Sequence, residues 1–367
     1  MKKNLFILLV ISFSCVFVNA QPKNKITVLY LLPFHLNTNE NYSSIKNSTE
    51  IHQMKQFEMM GFWLGAKLAL QEFEKSDKNI NVIVRDVVTD VNALNKILYD
   101  SVLMSKVNMI IGPFYGSLFP IAAEYAKQHN IVIVNPFSTR YDFVENNPLV
   151  YKLVPPFASR PERIAEVFLS EPNEYEIILW GDSVISPELI AYKFFFSAQN
   201  IPYKELHSLS LHGHLKKSAI IIPFFEHPTK VIYAVHSLVN NEPERNIIVV
   251  PEKWLSMSEL TEDFYNLPHL YFFTNYFVEE ECAAVKHFQA DHILFYDAPA
   301  ELVTFSYQGY DITRYFIDLF FTDFDFSKVN FIPLSYDFNW KHIDGGGFEN
   351  SKTRLIRVLN LGLEEVR

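Results

Sequence analysis

Residues 110–140 read IIGPFYGSLFPIAAEYAKQHNIVIVNPFSTR, and the succession of elements within them decides the fold. A short apolar run, beginning at Met109, breaks at Gly112-Pro113. Ser117 and Pro120 suit the start of a helix, because a serine hydroxyl caps free N–H groups and proline is tolerated in the first turn. Ile121, Ala122, Tyr125 and Ala126 then recur at helical spacing, so one face is buried. Asn130 ends the helix, and Ile131 to Val134 is a second wholly apolar run. Strands apolar on both faces belong to parallel sheets covered by helices on each side. The stretch is therefore a strand–helix–strand unit whose turns lie at carboxyl strand ends, where such sheets place ligands.

The same alternation extends in both directions. Residues 26–32 (ITVLYLL) read as a first strand stopped by Pro33, and the polar, Asn/Ser-rich residues 35–56 as a loop near the cleft. A helix follows over 57–74, in which Gly61 and Gly65 would allow close approach to the sheet. Next come a strand over 80–87 ending near Asp86, read as a cap, and a helix capped by Asp90 or Asn92 and running to about Ser105. Residues 148–156 (PLVYKLVPP) are bounded by prolines that disfavour helix and read as an extended crossover. The pattern then restarts, with helices over 160–169, 187–198 and 229–240 and strands over 176–180, 203–209, 218–223 and 246–250. Residues 269–277 read as a return crossover, followed by helices over 279–292 and 301–321. Residues 331–338, Gly345-Gly346-Gly347 and 353–359 read as a closing hairpin. Alternating strands and helices with right-handed crossovers make the class α/β.

Lys2 and Lys3 precede an apolar run over 5–18, then Val18-Asn19-Ala20. This is a secretory signal, expected to be cleaved after Ala20 and too short to span a membrane. Cys15 lies in that run, but Ser12 stands where a lipidation motif wants leucine, so no lipid anchor is expected. Removal of the signal takes two lysines and no acid, so the formal net charge of −10 becomes −12. A chain this acidic has no electrostatic footprint for nucleic acid. Cys282 is then the one cysteine left, so stability must come from the core rather than a disulfide. Aromatic residues are 15% of the chain, with 33 Phe, which suits large packing surfaces and an aromatic-lined cleft. No later segment is long and apolar enough to cross a bilayer. The sequons at Asn41 and Asn47 read as chance matches.

IIGPFYGS, an apolar helix and IVIVNPFST together resemble the first-lobe signature of type I periplasmic solute-binding proteins, the leucine/isoleucine/valine-binding family. AELVTFSYQGYDITRYFIDLF, residues 300–320, resembles that family's late helix pair. The resemblance covers nearly all of the mature chain and is closest to Bacteroidetes-type variants, some of them attached to LysM modules. It implies two doubly wound three-layer lobes joined by three crossover strands. On this reading residues 24–152 with 277–330 form lobe one, and 153–276 with 331–367 form lobe two. It also implies a periplasmic location and first-lobe ligand contacts at Phe114, Tyr115, Gly116 and Ser117 and at Phe137, Ser138 and Thr139. The family's carboxylate-binding serine falls on Gly116, with Ser117 beside it. Glu252 falls where members that bind amino acids carry an acid for the ammonium group. Asp182, in the turn after a strand, and Trp254 complete the candidate ligand contacts. Tyr310 and Asp311 are implied to hold the fold rather than the ligand.

Each site residue has a plainer reading beside the functional one. Ser117 can serve as a helix cap, Glu252 as a surface residue, Trp254 as a core plug and Asp182 as a loop cap. Catalytic signatures are absent: there is no G-x-S-x-G, H-E-x-x-H, Walker loop or G-x-G-x-x-G. Asp182 with Ser183 lacks the turn a hydrolase triad needs. His207, His212 and His214 match no zinc spacing and lie beside Lys216 and Lys217. No enzyme, metal or cofactor is expected. Two functions remain open. The first is an exported protein that captures a small polar ligand, amino-acid-like or a short peptide, for a membrane transporter or envelope protein. The second is an envelope interaction protein that keeps the fold with a degenerate site, favoured by the missing serine and the bulky Phe114, Tyr115 and Phe137.

Overall fold

Strand β1, Lys25–Leu32, is buried from Ile26 onward, and a strand buried on both faces needs neighbours on each side. It has β2 (Asn79–Asp86) on one side and β3 (Met109–Ile111) on the other, both parallel. The computed structural model describes residues 24–36, 59–74, 76–169, 175–182, 186–300, 305–359 and 362–367. The expected signal, most of the polar loop and Ser183 lie outside those residues. With β4 (Val132–Asn135), β5 (Val150–Lys152), β11 (Trp340–His342) and β12 (Phe348–Asn350), the first sheet runs β2-β1-β3-β4-β5-β12-β11. The second contains β6 (Glu176–Trp180), β7 (Tyr203–Leu206), β8 (Ala219–Pro223), β9 (Ile247–Val250), β10 (Leu270–Thr274), β13 (Arg354–Leu359) and β14 (Gly362–Val366). Its order is β7-β6-β8-β9-β10-β13-β14, the same plan. Two separate sheets of seven strands are what two doubly wound lobes require.

The helices are α1 (Met60–Glu72), α2 (Val91–Leu98), α3 (Ser101–Met104), α4 (Phe119–Gln128), α5 (Ser159–Phe168), α6 (Pro187–Ala198), α7 (Pro228–Val239), α8 (Glu262–Tyr265), α9 (Ala283–Tyr296) and α10 (Ser306–Phe321). One face of the first sheet packs on α1 and α10, and the other on α2, α3 and α4. In the second sheet α7 and α8 cover one face, α5 and α6 the other. The single helix expected up to Ser105 is two. Asp90 accepts the Asn92 N–H at 2.7 Å, and Asp100 accepts the Leu103 N–H at 3.0 Å to start again. The close approach expected of Gly65 is to a helix rather than the sheet. A Cβ there would lie 1.8 Å from the Ser306 carbonyl oxygen, and one on Gly309 would lie 1.9 Å from that of Phe62.

The tail departs from the sequence reading, which placed all of 331–367 in lobe two. Residues 331–338 form no strand; Asp311 instead accepts the N–H groups of Leu334, Ser335 and Tyr336 at 2.7–3.0 Å. The hairpin around Gly345–Gly347 is β11–β12, and β12 pairs with β5 in the first sheet. Phe348 stacks on Tyr151 at 4.9 Å, and buried Glu349 pairs with Lys152 at 2.8 Å, which ties this hairpin to lobe one. A Cβ on Gly347 would meet the Val150 carbonyl oxygen at 2.2 Å, so the turn lies flush on that sheet. Only β13 and β14 join the second sheet.

This routing fixes how the sheets meet. Strand β12 is parallel to β5 and ends at Asn350, on the carboxyl edge of the first sheet. Strand β13 is antiparallel to β10, and its first residue, Arg354, pairs with Thr274 on the carboxyl edge of the second. Three residues, 351–353, separate these ends. So short a link spans at most about 14 Å. The two carboxyl edges are therefore tied to each other, and the other crossovers, after β5 and β10, leave from the same edges.

Candidate functional site

Doubly wound sheets bind ligands where strand order reverses, in the crevice outside the carboxyl ends. In lobe one that point lies between β1 and β3. The Tyr115 hydroxyl lies 3.2 Å from His35 Nε2, so the turn after β3 is joined to the turn after β1. Asp86 accepts the N–H groups of Phe34 and Leu36 at 2.8 Å and His35 at 3.2 Å, fixing that first turn as the expected cap. Gly112 has φ +95°, which favours glycine, and the turn leads into α4.

The start of α4 differs from the sequence reading. Leu118 occupies the cap position with no side-chain bond, and Ser117 is exposed rather than capping. The N–H groups of Leu118 and Phe119 both donate to the Tyr115 carbonyl, and Pro120 has none to give. What remains of the helix start for an anion is the backbone at Gly116 and Ser117. A Cβ on Gly116 would have Ser138 Oγ at 3.9 Å and Phe143 at 4.0 Å, so the two turns are adjacent and a serine would fit. Arg140 clasps them: its Nη1 donates to the Gly116 carbonyl at 3.3 Å, while Asp142 pairs with it at 2.5 Å. Ser138 receives a fixed position from Asn135, whose Oδ1 accepts its N–H at 2.8 Å, and Thr139 is exposed at the rim. Phe114 is buried in the lobe core, its ring 4.9 Å from Phe62 and 5.2 Å from Phe137. Phe137 in turn lies 4.7 Å from Phe305, so these aromatics form a wall packed from behind.

In lobe two, strand order reverses between β6 and β8. Asp182 after β6 pairs with Lys230 of α7 at 2.8 Å, an interaction that holds the turn. His207 Nδ1 lies 3.1 Å from the Gly181 carbonyl, which gives that histidine a structural task. Glu252, after β9, accepts the Thr274 hydroxyl at 3.0 Å. Burial of the carboxyl pushes its pKa up, against the Thr274 bond and the charge of Arg160. Burial likewise raises Tyr276, with Glu252 adding to the effect. Trp254 is fully buried, its Nε1 donating to the Phe225 carbonyl at 3.4 Å, so it plugs the core and offers no surface to a ligand.

Arg160 is the residue that sequence reasoning missed. It sits in the first turn of α5, directly after the crossover from β5, and pairs with Glu188 at 2.5 Å while facing Glu252. The signal was available: a cation in a helix's first turn opposes the macrodipole and needs a carboxylate partner. His35 carried no such signal, because its position depends on the turn that Asp86 builds. Lobe one thus presents backbone N–H groups, hydroxyls and an aromatic wall. Lobe two presents a partly buried carboxylate with a guanidinium and a tyrosine beside it. The first set suits an anionic group and the second a cationic one.

Neither a family model nor a curated protein matches the sequence. Solved structures do match. A protein from Rhodospirillum rubrum named for a branched-chain amino acid ABC transporter superposes with TM-score 0.65 at 11% identity, covering 93% of this chain and 100% of that one. The fold is that of the type I periplasmic binding proteins. An ABC transporter substrate-binding protein from Desulfitobacterium hafniense, in complex with Leu, gives TM-score 0.58 at 13% identity, covering 93% and 100%. The branched-chain amino acid substrate-binding protein LivJ from Streptococcus pneumoniae, in complex with isoleucine, gives 0.54 at 14%, covering 93% and 99%. At these identities the likeness is one of fold. Among the described residues, no helix of this type I binding-protein fold is long and apolar enough to cross a membrane.

Proposed function

We propose that this chain is an exported binding protein that closes over a small polar ligand, amino-acid-like or a short peptide, held between the two lobes. The observation that supports this reading is the link at 351–353, which ties the carboxyl edges of the two sheets to each other. The turns nearest the crossovers then supply complementary chemistry. The Gly116–Ser117 backbone with Ser138 and Thr139 would receive a carboxylate, as N–H groups at a helix start favour anions. Glu252, steadied by Thr274, would receive an ammonium group, with Arg160 limiting the net negative charge. The Phe137 wall would flank an apolar body. Hinge closure would bury the ligand and bring both sets of contacts to bear. An export signal over residues 1–20, a periplasmic setting and delivery to a transporter or envelope partner belong to the same proposal.

The test is a thermal-shift screen of purified protein against amino acids, short peptides and sugars. A ligand that binds only the folded state stabilises it by about 2.7 kcal/mol at a hundredfold excess over Kd. A raised melting temperature with at least one zwitterion is expected. A flat response across the panel would sink the ligand reading and leave the envelope interaction protein.

A further inference from the structure

Two arginines stand at the turns of the proposed cleft, and they differ in the donors they have left. A guanidinium carries five N–H donors on its three nitrogens and accepts nothing. Arg140 of lobe one uses all three nitrogens on the protein. Its Nε and Nη2 donate to Asp142 at 3.0 and 2.5 Å, and its Nη1 donates to the Gly116 carbonyl at 3.3 Å. Arg160 of lobe two uses one, Nη1, which donates to Glu188 at 2.5 Å. Neither its Nε nor its Nη2 has a partner among the described residues, and neither is sealed in the interior. The side chain is 20% exposed.

These free donors are held in place. The guanidinium carbon lies 5.2 Å from the centre of the Phe157 ring, on the crossover after β5, and 5.8 Å from that of Phe273, in β10. Aromatic rings hold an arginine by its charge and by its flat shape. Glu188, in the first turn of α6, fixes the third side. The charge of Arg160 also acts on Glu252, so the three groups form one cluster, with two carboxylates against one guanidinium. An ammonium group at Glu252 balances the excess negative charge. A carboxylate at Arg160 would face both acids, whereas a neutral carbonyl oxygen meets the free donors without that repulsion. Closure of the lobes would take those donors out of water, where an unmatched donor is costly.

We infer that the ligand of the inter-lobe site is a short peptide with a free amino terminus, held by Glu252 at its ammonium group and by Arg160 at its first peptide carbonyl; this rests on the ligand reading proposed above. The two groups sit on adjacent carbons in every such peptide. In a free amino acid the second of those carbons bears the carboxylate. The turns of lobe one claim it, which leaves the Arg160 donors empty. A peptide separates the two functions, because each added residue carries the carboxylate about 3.3–3.6 Å further along.

Titration calorimetry on the purified full chain compares di- and tripeptides of alanine, leucine and phenylalanine with the corresponding free amino acids. The tightest peptide should bind at least about tenfold more tightly than those amino acids, and acetylation of its amino terminus should abolish binding. Sulfur in place of the first carbonyl oxygen, a poorer acceptor, should weaken it about tenfold. The double variant Arg160→Met with Glu188→Gln keeps the net charge of the cluster and removes the donors. In it the parent peptide should be weakened by a similar factor, and the sulfur substitution should have no further effect. If that variant fails to fold, the sulfur analogue decides against the wild-type chain alone. Three results would overturn the peptide assignment and leave the ligand reading standing: free amino acids that bind as tightly as the peptides, a sulfur analogue equal to its parent, or a variant that still distinguishes the two. No heat from peptides and amino acids alike would overturn both.

Discussion

Glu252 and Asp311 are both carboxylates raised by burial, and they do different work. Under the proposed function Glu252 must be ionised to hold an ammonium group, and its pKa lies above the usual 4.5. Affinity for a zwitterion found in the screen should therefore fall as the pH is lowered through that raised value. Glu252→Gln should weaken binding about tenfold or more and abolish this pH dependence, as measured by titration calorimetry, because a bond to a charged partner contributes about 1.5–3 kcal/mol. Asp311 is fully buried, and burial pushes it up to about 6 despite the four donors from Leu334, Ser335 and Tyr336. Its folded pKa lies above the 3.8 of an ordinary aspartate, so the folded state holds the proton more tightly. That contribution to stability is complete below about 3.8 and is lost as the pH rises through 6. Asp311→Asn places an amide donor among N–H donors and should cost about 2 kcal/mol at pH 7 in urea denaturation. The gap from wild type should widen as the pH is lowered towards 4.5. Asp311 as a fold-holding residue was legible from resemblance. Arg160 was legible only as a cation in a helix's first turn; its place beside the turn after β9 appears only once α5 is packed there.

At the scale of elements, two contacts decide the architecture of lobe one. Helices α1 and α10 approach so closely that Gly65 and Gly309 each face the other helix's backbone. Adding a methyl group at Gly309 forces the pair apart, so Gly309→Ala should cost about 3 kcal/mol by chemical denaturation. Gly65 could be singled out in sequence because a glycine in a helix interior asks for a packing reason, but its partner helix lies about 240 residues away. The second contact is the ion pair between Lys152 of β5 and Glu349 of β12, both buried. Lys152→Ala leaves a lone buried carboxylate and should cost about 3–5 kcal/mol, whereas Lys152→Met with Glu349→Leu should restore most of it. This pair also explains the misassigned tail. Strands β11 and β12 have three residues each, too few to show a period of two, and GFEN carries no apolar run. Membership of the first sheet is set by Glu349, Phe348 and the glycine turn, which are tertiary contacts.

For the whole molecule, the two-lobe plan was readable because its central strands are apolar on both faces. ITVLYLL, IVIV and AIIIP alternate with helical segments in a way that only covered parallel sheets accommodate. How the lobes face each other depended on the route of the last forty residues, which local patterns do not encode. The central claim is that the carboxyl edges look across one gap that narrows around a ligand. Spin labels at Tyr141→Cys, exposed on the same loop as Thr139, and Lys253→Cys, with Cys15 and Cys282 replaced by serine, place one probe on each lobe. The distance between them, measured by pulsed electron spin resonance, should shorten when a ligand that raises the melting temperature is added to saturation. A distribution unchanged by such a ligand would contradict the account.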